Sequence, residues 1–124
     1  MRTDYVMSPK TLTDEVREIV FARDNHTCVV CGAPATNVHH RLLRSRAPKD
    51  PLLHNPCNLI SVCGSGTTGC HGRIHANPQW AHKHGYMVHS WDEPERVKCE
   101  ILEEDGKTHG TYLNLFGEKT YIRP

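Results

Sequence analysis

Residues 58–75 read NLISVCGSGTTGCHGRIH, and residues 38–45 read VHHRLLRS. The first half of the longer stretch, Asn58 to Cys63, alternates like a half-buried strand. The glycines between Gly64 and Gly69 make a flexible tip, and Cys70 to about Ala76 reads as a helix that stops or kinks near Pro78. On that helix His71 and His75 stand at i and i+4, so they share one face and can ligate one metal. His39 and His40 end a short strand over Asn37–His40. Neighbours on a regular strand point to opposite sides. The pair can serve one site only if the strand ends or bulges there, and Arg41 opens a loop with three prolines and four basic residues running to Cys57.

Moving outward, the cysteines frame this stretch. Cys28 and Cys31 form a C-x2-C pair followed by Gly32, and Cys63 and Cys70 form a wider C-x6-C pair. Two close pairs separated in sequence are what a closed tetrahedral zinc site needs, because each knuckle gives two thiolates and the metal joins distant segments. The wide second spacing requires a Gly-rich excursion out of the knuckle. Cys57, after a proline in the loop, is a weaker ligand candidate, and Cys99 reads as a small core residue or a free thiol. Of the ten histidines, His26, His54, His82, His84, His89 and His109 lie in polar surroundings and read as solvated.

The remainder of the chain is modest. It has 124 residues, 37% hydrophobic and 6% aromatic, enough for one domain with a thin core that a metal would help to hold. Residues 1–10 show no periodicity and read as a loose arm, with a single domain over 11–124. Leu12, Val16, Ile19 and Val20 fall at helical spacing, Thr11 or Thr13 can cap, and Asp14 and Glu15 suit the first turn. Strands are expected over Tyr86–Trp91, Arg96–Leu102 and Thr111–Phe116, with Asp105-Gly106 as a turn. No apolar run of about 18 residues is present and the start lacks a signal-peptide core, so the expectation is a cytoplasmic protein with reduced thiols and no membrane partner. Net charge is +1, but Arg17–His75 carries seven basic residues against three acids, which suits a phosphate-bearing partner.

A cation held by His39, His71 and His75 keeps coordination positions open, and such a site supports phosphodiester hydrolysis. The attacking water needs a base that is neutral near pH 7, and a metal-free imidazole suits it. His40 is the remaining candidate.

The string of His39-His40, Asn58 and Cys70-His71 with His75 resembles the HNH endonucleases. The longer match, including the C-x2-C-G turn, VHHRLLRS and the GY-V stretch after the helix, is similar to the small HNH proteins of bacteriophages and actinobacteria. The resemblance implies an α+β fold: a zinc-stapled ββα-metal core over 28–75, an N-terminal helix, and a β extension over about 86–124. It gives His40 the general-base position and His39, His71 and His75 the catalytic divalent ion. Asn58 braces the loop that carries the base, and Cys28, Cys31, Cys63 and Cys70 fill the structural zinc positions. The implied reaction is DNA cleavage that leaves 5′-phosphate and 3′-hydroxyl ends. The sequence itself shows no base-reading module, such as a repeated finger or a recognition helix with its own core, so low specificity and nicking are expected. Bacteriophage origin and a packaging role beside a terminase also follow from the resemblance.

Many members have Asp where this chain has His39. Losing that negative ligand makes a softer metal more acceptable and leaves Mg²⁺, Mn²⁺, Ni²⁺ and Zn²⁺ open. Arg41, Arg44, Arg46 and Arg73 are the candidate DNA contacts. The main rival is a non-catalytic zinc-knuckle DNA-binding protein, which would need neither His40 nor an open metal site.

Overall fold

A computed structural model describes residues 10–121. The arm expected over 1–10 lies, all but Lys10, outside the described residues. Three helices and two small antiparallel sheets make an α+β structure. Helix α1 spans Asp14–Arg23. Thr13 caps it, its hydroxyl accepting from the Val16 amide at 3.2 Å, with Asp14 and Glu15 in the first turn. Val16 and Val20 pack against Val38 and Leu59 in a small apolar cluster. At its C-terminal end Arg23 folds inward, forks onto Asp24 and donates to the carbonyls of Pro56 and Leu59. Asp24 in turn accepts from the Ser61 amide at 3.0 Å. Arg23 was one of the seven basic residues of the positive segment. Buried and neutralised, it offers no charge to a partner.

Strand β1 (Asn37–His40) pairs antiparallel with β2 (Leu59–Val62), placing His39 opposite Ile60 and His40 opposite Leu59. The expected half-buried alternation in β2 is corrected here, because the strand is buried along its whole length. The period of two persists, but both faces are covered. Leu59 faces the α1 cluster, while Ile60 and Val62 join the main core with Ile74, Ala81, Tyr86, Met87, Ile101 and Leu113.

Helix α2 (Gly69–Ala76) follows, then α3 (Pro78–Lys83), separated where Asn77 leaves helical geometry before Pro78. The expected strand Tyr86–Trp91 is absent. The Tyr86 and Met87 amides both turn back to the Ala81 carbonyl, and the Val88 amide bonds the Arg41 carbonyl, so the segment has no strand edge to join. The second sheet runs β3 (Cys99–Leu102), β4 (Thr108–Leu113), β5 (Lys119–Tyr121) in that order. A 3₁₀ turn at Pro94–Arg96 delays β3 relative to the expected Arg96 start.

Candidate functional site

The two cysteine knuckles meet. The ligand atoms of Cys28, Cys31, Cys63 and Cys70 all lie within 4.8 Å of one another, and the sulfurs of Cys31 and Cys63 are 3.7 Å apart. Zinc–sulfur bonds of about 2.3 Å in a tetrahedron put sulfurs about 3.8 Å apart, so the four could hold zinc. The first knuckle is a tight turn closed by Cys28 N–H to Ala33 and Gly32 N–H to Cys28.

The second achieves the same geometry despite its length because the tip folds on itself. Ser65 and Thr68 bridge, the His71 amide bonds the Cys63 carbonyl, and the Cys70 amide donates to Cys63 Sγ at 3.4 Å. Gly64 makes this possible: at φ +83°, a Cβ there would sit 2.1 Å from the Thr68 oxygen. The Cys70 amide holds the Cys63 thiol below its usual range, whereas burial pushes Cys28 and Cys70 up. A cation would resolve that conflict by stabilising all four thiolates at once. Cys57 and Cys99 are buried and stand apart from this group; burial pushes the Cys99 thiol up to about 11.

The second convergence is His39, His71 and His75, whose ligating nitrogens also lie within 4.8 Å of one another. Ring centroids are 5.0–5.2 Å apart. His39 is buried, and its Nε2 is 2.8 Å from the Tyr86 carbonyl. A carbonyl only accepts, so Nε2 carries the proton and Nδ1 keeps the lone pair, an outer-sphere arrangement common to metal-binding histidines. Burial, with His71 beside it, lowers the His39 pKa to about 3, and burial also lowers His71. His71 Nδ1 is buried with no hydrogen-bond partner among the described residues, an orphan that a cation at this point would satisfy.

His40 is left out of this trio. Its Nε2 lies 3.0 Å from Nδ1 of His54, with the two rings edge to face. Burial, then His54 and Arg44, lowers its pKa to about 4. His54 is therefore not solvated as expected; it is 5% exposed and bonded to His40. Asn58 is fully buried: its Oδ1 accepts from the Leu42 amide at 2.7 Å, and its Nδ2 donates to the Leu42 and Leu53 carbonyls. It ties both ends of the long loop and does not line the cavity.

That cavity, about 490 Å³, is lined by His39, His40, His71 and His75 together with Arg17 from α1 and Arg44 from the loop. No acidic side chain among the described residues lines it. The expectation for Arg41 is corrected. Its side chain is 0% exposed and donates to the carbonyls of Gly85, Cys57, Pro94 and Val97, so it fastens the loop to the β extension and cannot reach DNA. Arg46 and Arg73 are exposed but off the cavity, and Arg73 stacks on Trp80 at 4.0 Å.

Sequence reasoning missed Arg17 and His54. Arg17 lies on the exposed side of an amphipathic helix and His54 in a loop, and neither position carried a local signal. Comparison of the chain with family models, with curated proteins and with solved structures finds no match. Among the described residues no helix is long and apolar enough to cross a membrane.

Proposed function

We propose that this chain is a metal-dependent endonuclease of the HNH type, with a ββα-metal core built from β1, β2 and α2, that hydrolyses DNA phosphodiester bonds by nicking. The observation that carries this reading is the division of labour inside one cavity. Three imidazoles converge with one ring nitrogen of each within 4.8 Å of the others, while a fourth, His40, lines the same cavity but keeps its own partner.

His39, His71 and His75 would hold a divalent cation, which when bound neutralises charge growing on the phosphate and on the leaving oxygen. His40, neutral at pH 7, takes the proton from the attacking water. Arg17 and Arg44 flank it and suit the phosphates on either side. The oxygen of water bonds to phosphorus as the bond to the 3′ oxygen breaks, and that oxygen takes a proton from solvent, leaving 5′-phosphate and 3′-hydroxyl ends. Three neutral nitrogen ligands with no carboxylate favour Mn²⁺, Ni²⁺ or Zn²⁺ over Mg²⁺.

Supercoiled plasmid incubated with the protein and a panel of divalent metals, with chelator as control, tests the reading. Nicked circles should form with metal and not with chelator. Plasmid that stays supercoiled with every metal overturns it, and retention of that plasmid in a gel shift would instead favour a non-catalytic DNA-binding protein.

A further inference from the structure

The loop between β1 and β2 buries four consecutive residues, Leu52 to Asn55, in a segment with no helix or strand. Loops ordinarily run over the surface, so something fixes this one inside. Its neighbours do so from both sides. Asn58 donates to the Leu53 carbonyl at 3.0 Å, and the Asn55 side chain accepts from the Cys57 amide and donates to the Leu115 carbonyl. His54 sits between these two anchored residues, and its Nδ1 is 3.0 Å from His40 Nε2.

We propose that His54 is a positioning residue that accepts the Nε2–H of His40 at its own Nδ1, and so fixes the ring and tautomer in which His40 Nδ1 carries the free lone pair. This rests on the reading of His40 as the general base.

Two neutral imidazoles joined by one hydrogen bond can arrange it in only two ways. If His40 donates, both rings are in the Nε2–H form, the intrinsically favoured tautomer of neutral histidine. If His54 donates, both are forced into the Nδ1–H form, and His40 has no lone pair left for water. The first arrangement is favoured twice over, and it is the one that arms His40. The edge-to-face ring geometry, with centroids 5.1 Å apart at 79°, allows an in-plane lone pair on one ring to receive an in-plane N–H from the other without stacking. A histidine in this role is an outer partner of the base, comparable to the groups that orient metal-bound imidazoles.

The test uses the full chain, zinc-loaded at the cysteines, as wild type, His54→Leu and His54→Asn. Leucine fills the space without an acceptor, and asparagine restores an oxygen near the position of Nδ1. Loss of this outer partner should lower kcat about 10–100-fold in His54→Leu, with KM and metal affinity unchanged, and His54→Asn should recover most of it. Nitrogen-15 NMR of the imidazoles, without the second metal, supplies a readout independent of cleavage. Wild type should show His40 protonated at Nε2 and bare at Nδ1, and His54→Leu should show a mixture of tautomers.

His40 found as the Nδ1–H form in wild type overturns the proposal, as does His54→Leu with unchanged kcat. A wild type that does not cleave with any metal fails the endonuclease reading instead, while the NMR result still decides the pair. The wild-type spectrum alone is decisive if a variant does not fold.

Discussion

His39 and His40 are adjacent, and adjacent strand residues point to opposite sides. They line one cavity because β1 stops at His40, where the chain turns into the loop tied down by Asn58. Their roles should separate under metal titration. His40→Ala should lose about 10²–10⁴-fold in activity while still binding metal and DNA. His39→Ala should lose metal affinity, with partial rescue at high metal, and the reverse pattern would exchange the two assignments.

Protonation gives a second contrast. His39 is held neutral by burial down to about pH 3, whereas the same side chain in the unfolded chain protonates near pH 6.5. Across that window the unfolded state binds more protons, so stability falls as pH drops from about 6.5. His39→Gln should flatten this fall relative to wild type in urea titrations without the second metal. The cysteine site contributes its own acid sensitivity to both proteins, so the difference between them is the measurement.

Arg41 and Arg44, three residues apart, should behave oppositely. Arg41→Leu removes a charged donor from the buried carbonyls of Gly85, Cys57 and Pro94 and from the half-buried carbonyl of Val97. Hydrogen bonds to charged groups contribute about 1.5–3 kcal/mol, so the protein should lose at least about 3 kcal/mol or fail to fold. Arg44→Ala should leave the urea midpoint nearly unchanged and reduce the salt slope of DNA binding by about 0.9.

Among the elements, those that sequence could place carry their own stop and start chemistry. Helix α1 has its Thr13 cap and apolar spacing, β1 ends at a loop rich in prolines, and α2 follows a glycine run and stops before Pro78. Thr13→Ala should cost about 1 kcal/mol, read as a lower urea midpoint with the metal sites intact. The misplaced elements lack such marks. Tyr86–Trp91 has strand-like composition, but its amides are already committed to Ala81 and Arg41, a tertiary arrangement that periodicity cannot register. Strand β5 went unseen because its turn is made by a side chain: Asn114 Oδ1 accepts from the amides of Phe116 and Glu118, with Gly117 at φ +83°. The four thiols and the three converging imidazoles were legible because metal spacing is local within each knuckle and each helix turn. The His54 contact and the fate of Arg41 depend on where a long loop folds, which no spacing encodes.

At the scale of the whole molecule, the described residues form two apolar clusters, in a sequence only 37% hydrophobic. With zinc at the cysteines, such a core would leave much of the folding energy to that site, since structural zinc in small domains contributes on the order of 10 kcal/mol. Chelation of that zinc, or Cys28→Ala, should therefore unfold the protein, seen as loss of the cooperative thermal transition. Cys99→Ala should retain the zinc and cost about 1 kcal/mol, the scale of one small group removed from a core. A metal-free protein with an unchanged melting curve would exclude a folding role for the cysteines.

Arg41 has one more consequence, for portability. Residues 28–75 contain every thiol of the cysteine site and every imidazole of the trio, and look like a unit that could be excised and grafted. Yet three of the four carbonyls that receive the Arg41 guanidinium, those of Gly85, Pro94 and Val97, lie beyond residue 75, as does the Tyr86 carbonyl that sets His39. An excised segment would carry a cation without its cradle and an imidazole without its guide. The distal third of the chain is thus a jig for the histidines, and a transplanted core would have to bring it along.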